Sequence, residues 1–159
     1  MIRVQEDDFD VGAELAKLTE GRHGVGGVCS FVGLVRDMAG DETIASMTLE
    51  HYPAMTEKAL AEIEAEANER WPLEDTVIIH RHGKLNPGDN IVFVAAASAH
   101  RDAAFDACRF LIDWLKTKAP FWKLEDTPEG GKWVDARASD DEAAARWGED
   151  STAKSDAAP

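Results

Sequence analysis

The sequence predicts an α+β fold, with helices packed against a mainly antiparallel sheet. Read along the chain, the elements follow the order β-α-β-β-α-β-β-α-β. Two strand pairs in that order have no helix between them, which is incompatible with a purely parallel, doubly wound sheet. Asn86-Pro87-Gly88-Asp89 lies between two apolar runs and is a turn that joins neighbouring strands.

Residues 2–5 alternate weakly, as a short strand does, and residues 9–18 place Phe9, Val11, Leu15 and Leu18 on a crude helical face. Residues 23–35 are glycine-rich and then apolar. They are read as a long strand whose glycines permit a bulge or a close backbone approach. A polar loop, 37–42, leads to a strand over 43–51. Pro53 opens a helix at a favoured first-turn position. Its apolar line is Met55, Ala59, Ile63 and Ala67 with Leu60 beside them, and Trp71-Pro72 ends it. Residues 75–82 and 90–97 flank the turn as strands. The last helix is capped by Ser98 or a near neighbour and buries Ala104, Cys108, Leu111, Ile112 and Leu115, with Phe105 alongside, before Ala119-Pro120 stops it. Residues 121–134 form one or two short strands. A single domain over 1–147 is expected, followed by a small, polar, disordered tail over 148–159.

With 44% apolar residues, the chain of 159 residues can bury a core. Its net charge is −14, yet residues 98–137 hold seven Lys and Arg against seven Asp and Glu, so the whole excess lies outside that segment. Such a field argues against binding nucleic acid or an anionic membrane, while a local cationic pocket still admits a small anion. Cys29 and Cys108 make no disulfide framework, no apolar run has the length of a membrane span, and the N-terminus lacks a signal-peptide core. A soluble cytoplasmic protein is the expectation.

The densest chemistry lies in Leu115-Lys116-Thr117-Lys118-Ala119-Pro120-Phe121-Trp122-Lys123-Leu124-Glu125, where cations surround a helix stop and two aromatics. Amines held in such an ordered turn can do acid–base or nucleophilic work. In a strand, Lys123 shares a face with Phe121 and Glu125. Taken alone, each candidate has a plainer reading: Lys116 as a helix-terminal cation, Lys123–Glu125 as a surface pair, His100-Arg101 as a helix entry and Arg36 as an exposed arginine. His100-Arg101 and Lys116 stand at opposite ends of one helix, about 24 Å apart, so only a second subunit or a long ligand can join them. His51, His80 and His82 could approach one another, but no HExxH motif or cysteine pair completes a metal site. Gly24-Val25-Gly26-Gly27 has no βαβ unit after it and is no dinucleotide fingerprint.

Four segments occur together in order: Gly33-Leu34-Val35-Arg36, Leu49-Glu50-His51-Tyr52-Pro53-Ala54-Met55, Ser98-Ala99-His100-Arg101, and Leu115-Lys116 through Pro120-Phe121-Trp122-Lys123-Leu124-Glu125. Over residues 1–147 the chain resembles the family of large, catalytic subunits of molybdopterin synthase. The resemblance implies an α/β hammerhead fold and a homodimer within a heterotetramer. It implies a small ubiquitin-like sulfur-carrier subunit whose C-terminal Gly-Gly thiocarboxylate enters a pocket on this chain. Two sulfur transfers onto cyclic pyranopterin monophosphate would then form the molybdopterin dithiolene. Arg36, His100, Arg101, Lys116 and Lys123 match the family's pocket residues, Leu34, Val35, Leu124 and Glu125 the neighbouring segments, and Arg137 is a further carry-over. The implied roles are phosphate clamping by Arg36, His100 and Arg101, acid–base work by Lys116, proton transfer or oxyanion support by Lys123, and orientation of a lysine by Glu125. No metal or cofactor is implied, and no catalytic cysteine, because the carrier brings the sulfur. The competing readings are a docking module for the carrier tail without chemistry, and a cysteine-based sulfurtransferase.

Overall fold

The computed structural model describes residues 1–39, 41–134 and 138–148. The first sheet is built from β1 (Ile2–Gln5), β2 (Gly27–Leu34), β6 (Leu73–Arg81) and β8 (Asn90–Ser98), in the order β1-β6-β8-β2. The second joins β5 (Ser46–His51), β7 (Gly83–Leu85), β9 (Phe121–Thr127) and β10 (Gly130–Val134), in the order β10-β9-β5-β7. A ribbon of β3 (Met38–Ala39) and β4 (Glu42–Thr43) stands beside them. Only β1 and β6 pair in parallel among the described residues; every other ladder is antiparallel. The expected antiparallel character therefore holds, distributed over two sheets rather than one.

Alternation along β6 and β8 sorts the core into two layers. Ile78, Val92, Val94 and Ala96 face α2 (Pro53–Arg70) and α3 (Arg101–Lys118), meeting Leu60, Ile63, Ala107, Phe110 and Leu111. Val77, Ile79, Phe93, Ala95 and Ala97 face the other way, onto Phe9 and Leu18 around α1 (Val11–Thr19). A third cluster, Val35, Met47, Leu49 and Leu85, ties the second sheet to the end of β2.

Several elements differ from the sequence expectation. The buried line of α2 is Thr56, Leu60, Ile63 and Ala67: Leu60, Ile63 and Ala67 are as expected, but Thr56 takes the first-turn place expected of Met55, which is exposed. Thr56 is buried despite its hydroxyl because Oγ1 bonds His51 Nδ1 at 3.2 Å. The strand expected over 23–35 is shortened to β2, and the glycines before it serve close approach: a Cβ on Gly26 would lie 2.1 Å from the carbonyl oxygen of Ala99. The residue preceding α3 is His100, with no side-chain cap bond; Ser98 Oγ instead receives the His100 N–H at 3.4 Å and donates to the Pro72 carbonyl at 2.8 Å. Part of the polar loop 37–42 is the β3–β4 ribbon. A fourth helix, α4 (Ala138–Ala145), was not expected. It docks through Trp147, which packs edge-on against Trp71 at 5.5 Å and Phe110 at 5.6 Å and donates from Nε1 to Asp113 at 2.7 Å. Of the expected tail, residues 149–159 lie outside the described residues, as does Arg137.

Candidate active site

Three elements end at one cavity of about 270 Å³. The first is β2. A register shift at Gly33/Leu34 re-aims the chain as it leaves the sheet. Val35 is then locked into the third cluster, its N–H bonded to the Asp89 carbonyl at 2.9 Å, and its neighbours Leu34 and Arg36 line the cavity. The second is the last turn of α3, which supplies Lys116 and Thr117. The helix carbonyl end favours a cation there. Lys118 turns elsewhere, over the Trp114 ring at 4.0 Å and toward Glu66 at 3.9 Å. The third is β9, whose alternation sends Phe121, Lys123 and Glu125 to the cavity. Trp122 and Leu124 occupy the opposite face: Trp122 is exposed against Tyr52, and Leu124 lies over Gly131. Met38 and Ile44 from the ribbon region, Val134 at the end of β10 and Asp140 of α4 also line the cavity.

The cavity thus gathers Arg36, Lys116 and Lys123 with Leu34 and Glu125. It does not gather His100 and Arg101. These open α3, about 24 Å along the axis from Lys116 in its last turn. Arg101 is exposed and, among the described residues, has only Asp102 within ion-pair distance, at 3.8 Å. Among the described residues neither Arg36 nor Lys116 forms an ion pair, whereas Glu125 is buried at 7% exposure.

Aromatic rings back the cationic wall. Phe121 stacks on His80 at 3.7 Å and 14°, and on His51 at 5.6 Å; His51 in turn lies 4.5 Å from His82. His80 is buried, and its Nδ1–H donates to the Arg81 carbonyl at 2.7 Å. Burial drives its pKa down to about 3 against that hydrogen bond, and the charges of Lys123, Lys116 and His51 lower it further. It is therefore neutral. Among the described residues no group of three His, Cys, Asp or Glu is arranged to hold a metal ion.

The model of the family described as MoaE protein matches residues 4–118. The chain belongs to the MoaE protein family. A molybdopterin synthase catalytic subunit from Ralstonia nicotianae is 58% identical over 147 residues, covering 92% of this chain and 84% of that protein. The solved structure of the molybdopterin biosynthesis MoaE protein from Burkholderia ambifaria superposes with a TM-score of 0.80 at 55% identity, over 93% of this chain and 97% of that one. A complex of subunits 1 and 2 of molybdopterin-converting factor from Helicobacter pylori shares the fold, with a TM-score of 0.70 at 20% identity over 86% of this chain and 91% of that one.

In this member of the MoaE family Cys108 is a poor nucleophile. Cys108 is buried on α3, where burial and the neighbouring Cys29 push its thiol pKa upward, the reverse of an activated thiolate. No helix among the described residues is long and apolar enough to cross a membrane. Sequence reasoning missed Asp140, Met38 and Ile44 as cavity residues. Met38 lies in the segment read as loop, Ile44 was read only as a strand residue, and Asp140 sits on a helix without apolar periodicity, so no local pattern marked them.

Proposed function

We propose that this chain is the catalytic subunit of a molybdopterin synthase, a sulfurtransferase. It takes sulfur from the C-terminal Gly-Gly thiocarboxylate of a small ubiquitin-like carrier and delivers it, in two transfers, to cyclic pyranopterin monophosphate. The observation that carries this reading is the convergence of Arg36, Lys116 and Lys123, from three separate elements, on one cavity of a chain with net charge −14. Both reactants are anionic, and both need cations at that place. Arg36 forks onto phosphate oxygens. Lys116 serves as acid–base group at the thioacid, and Lys123 assists proton transfer or holds the developing oxyanion, with Glu125 beside it. The relatives named as catalytic subunits, and the two-subunit complex that shares the fold, support a carrier partner of this kind.

His100 and Arg101 belong to this reading through a second copy of the chain. At about 270 Å³ the cavity of a single copy is small for a phosphorylated fused-ring substrate. β2 is an edge strand, with Val28 and Phe31 uncovered on it. It spans about 26 Å, from Gly27 beside Arg101 to the approach of Arg36. Two-fold antiparallel pairing along that edge would set Arg101 and His100 of one copy against Arg36 and Lys116 of the other. A homodimer carrying two carriers, a heterotetramer, follows from the same pairing. The domain is taken as residues 1–147, and Arg137 is retained as a candidate for the pocket.

The test is reconstitution with thiocarboxylated carrier and cyclic pyranopterin monophosphate, following dithiolene product. Lys116→Ala is expected to lower turnover about 10²- to 10⁴-fold while carrier binding persists. Arg36→Ala is expected mainly to raise KM. Carrier binding without product in the unsubstituted protein would make the chain a docking module, and unchanged turnover in Lys116→Ala would reject the role given to that lysine.

A further inference from the structure

The cavity has a second polar pole. Asp140, in the first turn of α4, lines the cavity that Lys116 and Lys123 also line, is half-buried, and takes part in no ion pair among the described residues. Its neighbour Asp141 shares that helical turn but is exposed and does not line the cavity. Stabilising the start of α4 therefore explains either aspartate equally and leaves the placement of Asp140 unexplained. That placement is held firmly. Beyond the Trp147 contacts, Arg70 donates to the Trp147 carbonyl at 2.7 Å, and Arg146 lies 3.8 Å from Asp113 on α3.

We infer that Asp140 is a specificity-determining residue, which accepts hydrogen bonds from the aminopyrimidinone edge of the pterin. This rests on the reading of the cavity as a pterin site. A fused aminopyrimidinone presents a ring N–H and an exocyclic amino group side by side. A carboxylate accepts both at once, as it accepts the fork of an arginine. The cations select the phosphate and thioacid and cannot distinguish one ring edge from another. A carboxylate can, because a ring carrying a carbonyl in place of the amino group sets two acceptors against each other. Glu125 is the other carboxylate of the cavity, but it lies on β9 two residues from Lys123 and is buried.

The experiment uses the complete chain with its thiocarboxylated carrier. KM and kcat for cyclic pyranopterin monophosphate are measured together with competitive inhibition by pterin and by lumazine, which has a carbonyl where pterin has the amino group. The unsubstituted protein should prefer pterin by about tenfold or more. Asp140→Asn should erase most of that preference and raise KM about tenfold, with kcat within about twofold and the melting temperature unchanged. Asp141→Asn should alter none of these. An unchanged preference in Asp140→Asn, a fall in kcat alone, or an equal effect of Asp141→Asn would overturn the assignment. If the unsubstituted protein neither turns over the substrate nor binds either competitor, the pterin reading itself fails, a result distinct from loss of preference at Asp140.

Discussion

His80 shows what burial does to one residue of the site. Its ring is covered by Phe121, its Nδ1–H is committed to a backbone carbonyl, and its pKa falls from 6.5 to about 3. Neutrality there keeps a further positive charge away from Lys116 and Lys123. It also links stability to acidity. In the unfolded chain His80 takes up a proton near pH 6.5, but in the folded chain only near pH 3, so between those values the unfolded state binds more protons. Stability from this group is complete above pH 6.5 and is lost as pH falls toward 3, with a slope of about 1.4 kcal/mol per pH unit. Urea unfolding at pH 7, 6 and 5 is expected to show this slope, and His80→Phe, which keeps the stack, is expected to remove it. Parallel slopes in the two proteins would mean that His80 does not hold that difference in proton affinity.

At the scale of elements, α4 behaves as a strap whose clasp lies outside it. Its eight residues, Ala-Ser-Asp-Asp-Glu-Ala-Ala-Ala, have no apolar stripe, and the burial that fixes it comes from Ala144 and from Trp147 beyond its end. Trp147→Ala removes an aromatic packed against Trp71 and Phe110 and is expected to cost about 3–5 kcal/mol. Because the same anchor holds Asp140 at the cavity, KM for the pterin should rise more than kcat falls. Calorimetry with steady-state kinetics checks both; a full loss of stability with unaltered KM would separate the strap from the site. The origin of α4 explains why it was illegible: a periodicity search sees the helix and not its clasp. The first buried residue of α2 was misread for a related reason, since the partner that buries Thr56 is His51, on a strand the helix pattern does not include. Where local alternation alone decides, as for Phe121, Lys123 and Glu125 on β9, the sequence carried the face correctly.

For the whole molecule, sequence and single-chain fold divide the candidate residues differently. Read alone, Arg36 is an exposed arginine, His100-Arg101 a helix entry, Lys116 a helix-terminal cation and Lys123 half of a surface pair; it is the resemblance that placed all five in one pocket. The fold of one copy brings together Arg36, Lys116 and Lys123 and leaves His100 and Arg101 at the far end of an 18-residue helix. No rotation of side chains spans that distance, so if all five serve one reaction, the site is shared between copies. A shared site has a consequence that a self-contained one lacks. Arg101→Ala and Lys116→Ala are each expected to be nearly inactive as pure proteins. In a dimer holding one copy of each, one of the two sites receives both substitutions and the other receives neither. Equal mixing after subunit exchange should therefore restore about a quarter of full activity, since about half the dimers are mixed and half their sites intact. Turnover that stays at the level of the pure variants, while exchange is verified by mass spectrometry of the mixed dimer, would exclude a site shared in this way and confine the chemistry to Arg36, Lys116 and Lys123 of a single chain.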